Sequence, residues 1–303
     1  MGNSSYVVGD HSMKPVYEWH LNDRNDFALK KAKKYRDENE KLYGKRHPLI
    51  AFFLQRDTII EDSAYAFVKG YLEDIKSEEL GDMNKIIADF EKARTTDNPA
   101  PVLRAYSRSH GFSQQLNKDM AKNTYHALAL YCTPLNCNVL ARIHDGIQAF
   151  VAILFHPKLK DYLCRGVFTI YRGATIDSEE LLEGYENEST IITTTFLSTS
   201  KCPGVAEMFS SLDPTKQSQI SLLCRYTIHN YRRTALDMAE FSKFPHEEEV
   251  LIYPYVPFRI VSFTKTTLEP TGQKRIEVEL EEINDIPTGS SKIQSVSKVS
   301  SEI

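Results

Sequence analysis

The chain has 303 residues, 41% of them apolar and 26% charged, a balance that supports a packed core and excludes low-complexity or membrane-dominated classes. A formal charge of -4 and a pI near 6.2 give the whole chain no attraction for a phosphate backbone, so nucleic acid is not an expected partner. Cys132, Cys137, Cys164, Cys202 and Cys224 form no C-x-x-C pair, which removes the usual zinc and thiol-redox patterns and fits a reducing compartment.

The N-terminus carries polar Asn3, Ser4 and Ser5 and lacks the apolar segment of a secretory signal, and no run reaches the roughly 18 apolar residues of a membrane span. The expected location is therefore cytoplasmic, with no transmembrane segment. Met1-Gly2-Asn3 begins like a myristoylation site, but Tyr6 stands where that pattern wants Ser or Thr. Residues 1–46 read as a partly helical extension. Its basic stretch, Lys30, Lys31, Lys33, Lys34 and Arg36, is followed at once by Asp37, Glu38 and Glu40, the composition of a solvated helix face.

From 47 to about 162 apolar residues recur at helical spacing. Ala64, Phe67, Val68, Tyr71 and Leu72 form one stripe, and Ile86, Ile87 and Phe90 begin another. Breaks fall at Gly81, in the turn-rich segment 95–101, at Pro134 and at Pro157. Asp62 or Ser63 is the expected cap of one helix, and Asp97 or Asn98 belongs in a loop before another. After Leu163 the pattern changes to β-branched and aromatic runs at 167–171, 191–198, 220–228, 250–253, 258–264 and 275–280. In the last, Ile276, Val278 and Leu280 alternate with Glu277 and Glu279, as a half-buried strand requires. Helices first and strands later predict an α+β fold. The predicted domain spans 47–285, and the Ser- and Lys-rich residues 286–303 read as a disordered tail.

No glycine belongs to a G-x-G-x-x-G or P-loop pattern, and H-E-x-x-H and G-x-S-x-G are absent, so neither common nucleotide fingerprint, zinc-protease helix nor serine-hydrolase elbow is available. No metal is expected. Three other signals sit at or near predicted strand ends: Tyr171-Arg172-Gly173, Phe196-Leu197-Ser198-Thr199-Ser200, and Glu247-Glu248-Glu249 leading into Val250-Leu251-Ile252. Each alone has a plain reading, as an ion-pairing arginine, a hydroxyl-rich turn and a solvated charge run.

In this order the three resemble the R-S-E signature of the ADP-ribosyltransferases that include the arginine-specific ectoenzymes and the actin-modifying bacterial toxins. V-F-T-I-Y-R-G, F-L-S-T-S and F-P-H-E-E-E-V-L-I look like that family's first core strand, its S-T-S strand and its glutamate loop, and the similarity runs from about Tyr125 to Leu280. The resemblance implies a helical N-terminal half followed by two packed, mainly antiparallel sheets flanking a cleft for NAD, the co-substrate. It implies that Arg172 grips the diphosphate, for which a guanidinium is suited by its paired donors, and that Gly173, having no Cβ, lets its backbone approach the nicotinamide.

Ser198 can donate and accept at once and so bridge ribose and carboxylate. Glu249 matches the catalytic glutamate, stabilising positive charge on the ribose as the bond to nicotinamide breaks. Glu247 matches the glutamate that receives the acceptor guanidinium, which points to a protein arginine as acceptor. In an extended segment Glu247 and Glu249 would share a face with Cα atoms roughly 6.5 Å apart. Phe209 either stacks on nicotinamide or packs as a core phenylalanine. Phe244, in the loop 239–246 that resembles the acceptor-contacting loop, either touches the acceptor or packs within the loop, and His246 either moves protons or pairs with charge. The chain departs from some toxin relatives in having Lys201 as the only cation between Ser200 and Lys216. An NAD glycohydrolase and a catalytically silent scaffold are the alternatives that the residues leave open.

Overall fold

The computed structural model describes residues 19–21, 59–75, 82–122 and 145–284, apart from 183, 184, 194, 214–217, 233, 255 and 270. The basic stretch at 30–36, Pro134, most of the extension 1–46 and the tail 286–303 lie outside the described residues. Among the described residues, after one short strand, Trp19–Leu21, come five α-helices: α1 (Ile60–Gly70), α2 (Met83–Thr96), α3 (Ala100–Arg108), α4 (His110–Lys122) and α5 (Asp145–Leu154). The first apolar stripe is buried as read, with Ala64, Phe67, Val68, Tyr71 and Leu72 all within the core, and so are Ile86 and Phe90 of the second.

The helix ends follow local chemistry only in part. Asp97 adopts the left-handed conformation that closes α2, and the Asn98 carboxamide accepts from the Ala100 N–H at 2.9 Å to start α3. Asp62 and Ser63 are not caps, however. The first turn of α1 begins earlier, after Ile59, whose side chain makes no capping hydrogen bond. Burial of Ile60 and Ala64 on one face outweighs the capping preference of the two polar residues that follow.

The strands are β1 (Trp19–Leu21), β2 (Phe168–Ile176), β3 (Thr190–Thr193), β4 (Leu197–Ser200), β5 (Ile220–Ile228), β6 (Ala235–Asp237), β7 (Glu249–Ile252), β8 (Pro257–Leu268) and β9 (Gln273–Glu282), and a short helix α6 (Pro203–Phe209) follows β4. Two expectations are corrected here. The apolar run 191–198 is two strands, because Ile191 pairs with Phe258 of β8 while Ser198 pairs with Leu251 of β7. The two sheets expected are linked by hydrogen bonds into one, in the order β1-β3-β8-β9-β5-β2-β4-β7-β6. The link is narrow. Whereas β2 pairs with β5 along its whole length, it meets β4 at one residue pair, Tyr171 with Ser200. The sheet thus consists of a six-strand block and a three-strand block hinged at that pair. Among the described residues β5 with β9 is the one parallel pairing.

A chain of aromatic rings joins the helices to the sheet. Phe150 of α5, fully buried, lies 5.4 Å from Phe67, 5.9 Å from Tyr106 and 5.9 Å from Phe196 between ring centroids, within the range for favourable aromatic pairs. Phe196 stands one residue before β4. Its ring also meets Tyr253 edge-on at 5.8 Å, and its carbonyl accepts from the Asn117 side chain of α4 at 3.0 Å. The helical half therefore sets where β4 starts. Phe150→Ala is expected to cost about 3–5 kcal/mol, read as a lower urea midpoint; an unchanged midpoint would show that the ring chain does not couple the layers.

Candidate functional site

The site forms where the sheet narrows. Side chains alternate along β4, so Ser198 and Ser200 lie on one face and Leu197 and Thr199 on the other. Leu197 is fully buried, and Thr199 donates to the Val250 carbonyl at 2.6 Å, which locks the β4/β7 register. On the serine face Ser200 stands opposite Glu249, and Ser198 is its diagonal neighbour. The Ser198 hydroxyl donates to Glu249 Oε1 at 2.6 Å. Arg172, one residue past the β2/β4 junction, donates from Nη1 to the Ser198 carbonyl at 2.6 Å. Arginine, serine and glutamate from three strands thus meet as the sequence order implied.

Gly173 also has a reason within the fold for lacking a side chain. A Cβ there would lie 1.7 Å from the Ala206 carbonyl oxygen of α6, closer than any side chain tolerates. The space is taken by helix backbone, and α6 is anchored to β4 by the Cys202 N–H donating to Ser200 Oγ at 2.9 Å. Phe209, the last residue of α6, is 51% exposed, so the core alternative is excluded. Lys201, the cation noted after the serines, pairs with Asp237 of β6 at 2.7 Å.

The paired glutamates are not presented by an extended segment. Residues Pro245–Glu247 form one 3-10 turn and Glu248 takes the left-handed conformation, with φ 46°, before β7 begins at Glu249. Proline at the start of the turn favours the tight geometry, and the strand alternation invoked for Glu247 does not apply. The loop is tied to β4 instead. Ser200 donates to the Glu247 carbonyl at 2.6 Å, and the Lys201 N–H donates to the Glu248 carbonyl at 3.2 Å. Glu248 points to solvent, Glu247 is half-buried and Glu249 is buried.

Withdrawal from water holds the Glu249 carboxyl above the usual glutamate range; the Ser198 hydroxyl pulls it back, the charge of Glu247 raises it again, and the Ser242 hydroxyl and Arg172 lower it. Ser242 in this role is a residue that the sequence reading missed. In the sequence it is one residue of the loop 239–246, and a serine seven positions before the glutamate carries no local mark of acting on it. Phe244 is 38% exposed, 5.5 Å from the Lys243 ammonium and 6.2 Å edge-on from the His246 ring, so it is presented outward rather than buried within the loop. Among the described residues no group of three or more His, Cys, Asp or Glu is placed to hold a metal ion, and no helix is long and apolar enough to cross a membrane.

A carboxyl with a higher pKa folded than unfolded binds its proton more tightly in the folded state. Its stabilisation is present at low pH and is lost as pH rises from the unfolded value through the folded one. Glu249→Gln is therefore expected to melt at a higher temperature than the wild type at pH 7, with the gap closing as the pH falls below the usual glutamate range. A variant that melts lower at pH 7 would mean that the partners of the ionised carboxylate outweigh its desolvation.

Residues 158–288 match the model of the family described as NAD:arginine ADP-ribosyltransferase. The resemblance read from the three motifs is thereby borne out, and the matched segment holds every candidate site residue. No curated protein matches the sequence. Among solved structures, exoenzyme S from Pseudomonas aeruginosa, in complex with human 14-3-3 protein beta and carba-NAD, is similar at 15% identity and a TM-score of 0.42, over 80% of this chain and 99% of its own. The ADP-ribosyltransferase HopU1 of Pseudomonas syringae is similar at 15% identity and a TM-score of 0.43, over 73% of this chain and 97% of its own. Vis toxin from Vibrio splendidus is similar at 20% identity and a TM-score of 0.35, over 64% of this chain and 85% of its own.

Proposed function

We propose that this protein transfers ADP-ribose from NAD to an arginine side chain of an acceptor protein, with release of nicotinamide. The observation that carries the reading is the 2.6 Å hydrogen bond from Ser198 to the buried Glu249 carboxylate, beside a guanidinium and within the field of a second glutamate. In this reading Arg172 holds the NAD diphosphate through charge-assisted hydrogen bonds, and the backbone at Gly173 meets the nicotinamide amide. Ser198 fixes the orientation of Glu249, whose negative charge stabilises the positive charge that develops on the ribose as the bond from C1′ to nicotinamide breaks. The bond's electron pair leaves with nicotinamide. Phe209, exposed at the end of α6, offers a ring face to nicotinamide.

Glu247 supports arginine as the acceptor. A half-buried carboxylate can receive a guanidinium in paired geometry and take up its proton as the nitrogen attacks C1′. Phe244, presented outward by the same loop, supplies an apolar contact for the acceptor protein.

Labelled NAD and an arginine-rich acceptor test this. Wild type is expected to label arginine, and Glu249→Gln to lose roughly 10² to 10³ in rate, the effect of removing one preorganised electrostatic group. Equal labelling by Glu249→Gln would refute the assignment. Glu247→Gln is expected to impair transfer more than release of free nicotinamide into water; equal loss of both would contradict the acceptor role. Nicotinamide release without any acceptor labelling would instead favour an NAD glycohydrolase.

A further inference from the structure

The ring that offers its face to nicotinamide stands on a helix too short to hold itself. α6 has seven residues, fewer than an isolated helix needs to persist in water. Phe209, its last residue, is more than half exposed, so core packing does not aim the ring, and its direction is set by whatever fixes α6. At the start of the helix the Cys202 N–H donates to Ser200 Oγ of β4, and in the middle the Ala206 carbonyl lies on Gly173 of β2.

The end of the helix is held by a third strand. Gly173 pairs with Leu223 of β5, and Leu223 with Glu277 of β9; Thr175, Ser221 and Arg275 form the next row on the same side of the sheet. Arg275 therefore rises from β9 on the side that α6 covers. Its Nη1 donates to Glu207 Oε2 at 2.8 Å and its Nη2 to Glu207 Oε1 at 2.6 Å, a two-pronged pair that fixes orientation as well as distance. The third guanidinium nitrogen, Nε, lies 2.8 Å from Glu277 Oε1, and the Arg275 side chain is 15% exposed, so the guanidinium is also held from its own strand. The Glu207 carbonyl accepts from Ser210 Oγ at 3.1 Å and from Ser211 Oγ at 3.0 Å, which closes the helix beside Phe209.

We propose that Glu207 and Arg275 are positioning residues that clamp the end of α6 to β9 and so aim Phe209 at the nicotinamide. This rests on the transferase reading above for the ligand, though not for the clamp. The Glu207 side chain is 46% exposed, so the pair contributes little to global stability, and its effect is local.

Glu207→Ala removes both prongs and puts the best helix former in their place, so any loosening of α6 comes from the lost pair. Hydrogen exchange, read by mass spectrometry on the full chain, is expected to quicken across residues 203–210 in Glu207→Ala and in Arg275→Ala, with the melting temperature little changed. KM for NAD is expected to rise about two- to tenfold in each, the range that one aromatic contact supports, with kcat little changed and the double variant no worse than either single one. In a Phe209→Ala background neither substitution is expected to raise KM further.

Exchange at the wild-type rate across this helix, an unchanged KM, or KM increases that multiply with that of Phe209→Ala would each overturn the proposal. A wild type that binds no NAD would sink the transferase reading, and exchange alone would then decide the clamp. Should Arg275→Ala not fold, Arg275→Gln, which keeps the stem without the fork, takes its place in the same measurements.

Discussion

Ionising a carboxylate inside a protein is costly unless its surroundings replace the water it loses, and the arrangement around Glu249 is governed by that cost. Burial holds its proton on, while the hydroxyls of Ser198 and Ser242 and the guanidinium of Arg172 favour the ion. Such a group is poorly hydrated yet directed, which makes it worth more to a developing cation than a solvated acid would be. The same balance explains why the site lies at the junction of the two sheet blocks. There β2 and β4 part after the single pair of Tyr171 with Ser200, and Arg172 reaches the Ser198 carbonyl across the parting strands.

The rest of the fold holds that junction still. Phe196, locked among Tyr106, Phe150, Phe155 and Tyr253, fixes the start of β4, and Thr199 fixes its register against β7. α6 lies directly on β2 at Gly173, which brings Phe209 to the rim. The helical half thus acts as a platform, and Ser107 of α3 extends it to the loop 239–246. A second buried carboxylate, Glu282, accepts from the His229 and Asn230 N–H groups at 2.7 Å each and from Thr234 at 2.9 Å. It fastens the connection between β5 and β6 to the end of β9, and so steadies the edge of the block that carries Glu249.

Much of this was legible in the sequence wherever the decisive forces are local or periodic. The alternation of Ile276, Val278 and Leu280 marked β9, and the stripe through Phe67 and Tyr71 marked α1 and the turn after it. The three motifs, with their family resemblance, named Arg172, Ser198 and Glu249 before any geometry was known. What stayed hidden depends on partners far along the chain. The run 191–198 is uniformly β-prone, and only the competing partners β8 and β7 divide it. Ala235–Asp237 is too short and mixed to announce itself as a strand, and it exists because β7 offers an edge. Glu248 in the left-handed region is rare for a residue with a long side chain, so period-two reasoning put Glu247 on the wrong geometry. The glycine at 173 was read as a close approach, and the α6 backbone supplies one that the sequence does not announce.

In the proposed function Arg172, Ser198 and Glu249 surround one dinucleotide. Thermal unfolding of the wild type and of Arg172→Ala, with and without millimolar NAD, tests it most directly, since a ligand that binds only the folded state must stabilise it. NAD is expected to raise the wild-type melting temperature and to leave that of Arg172→Ala nearly unmoved. An equal rise in both proteins, or none in the wild type, would contradict it.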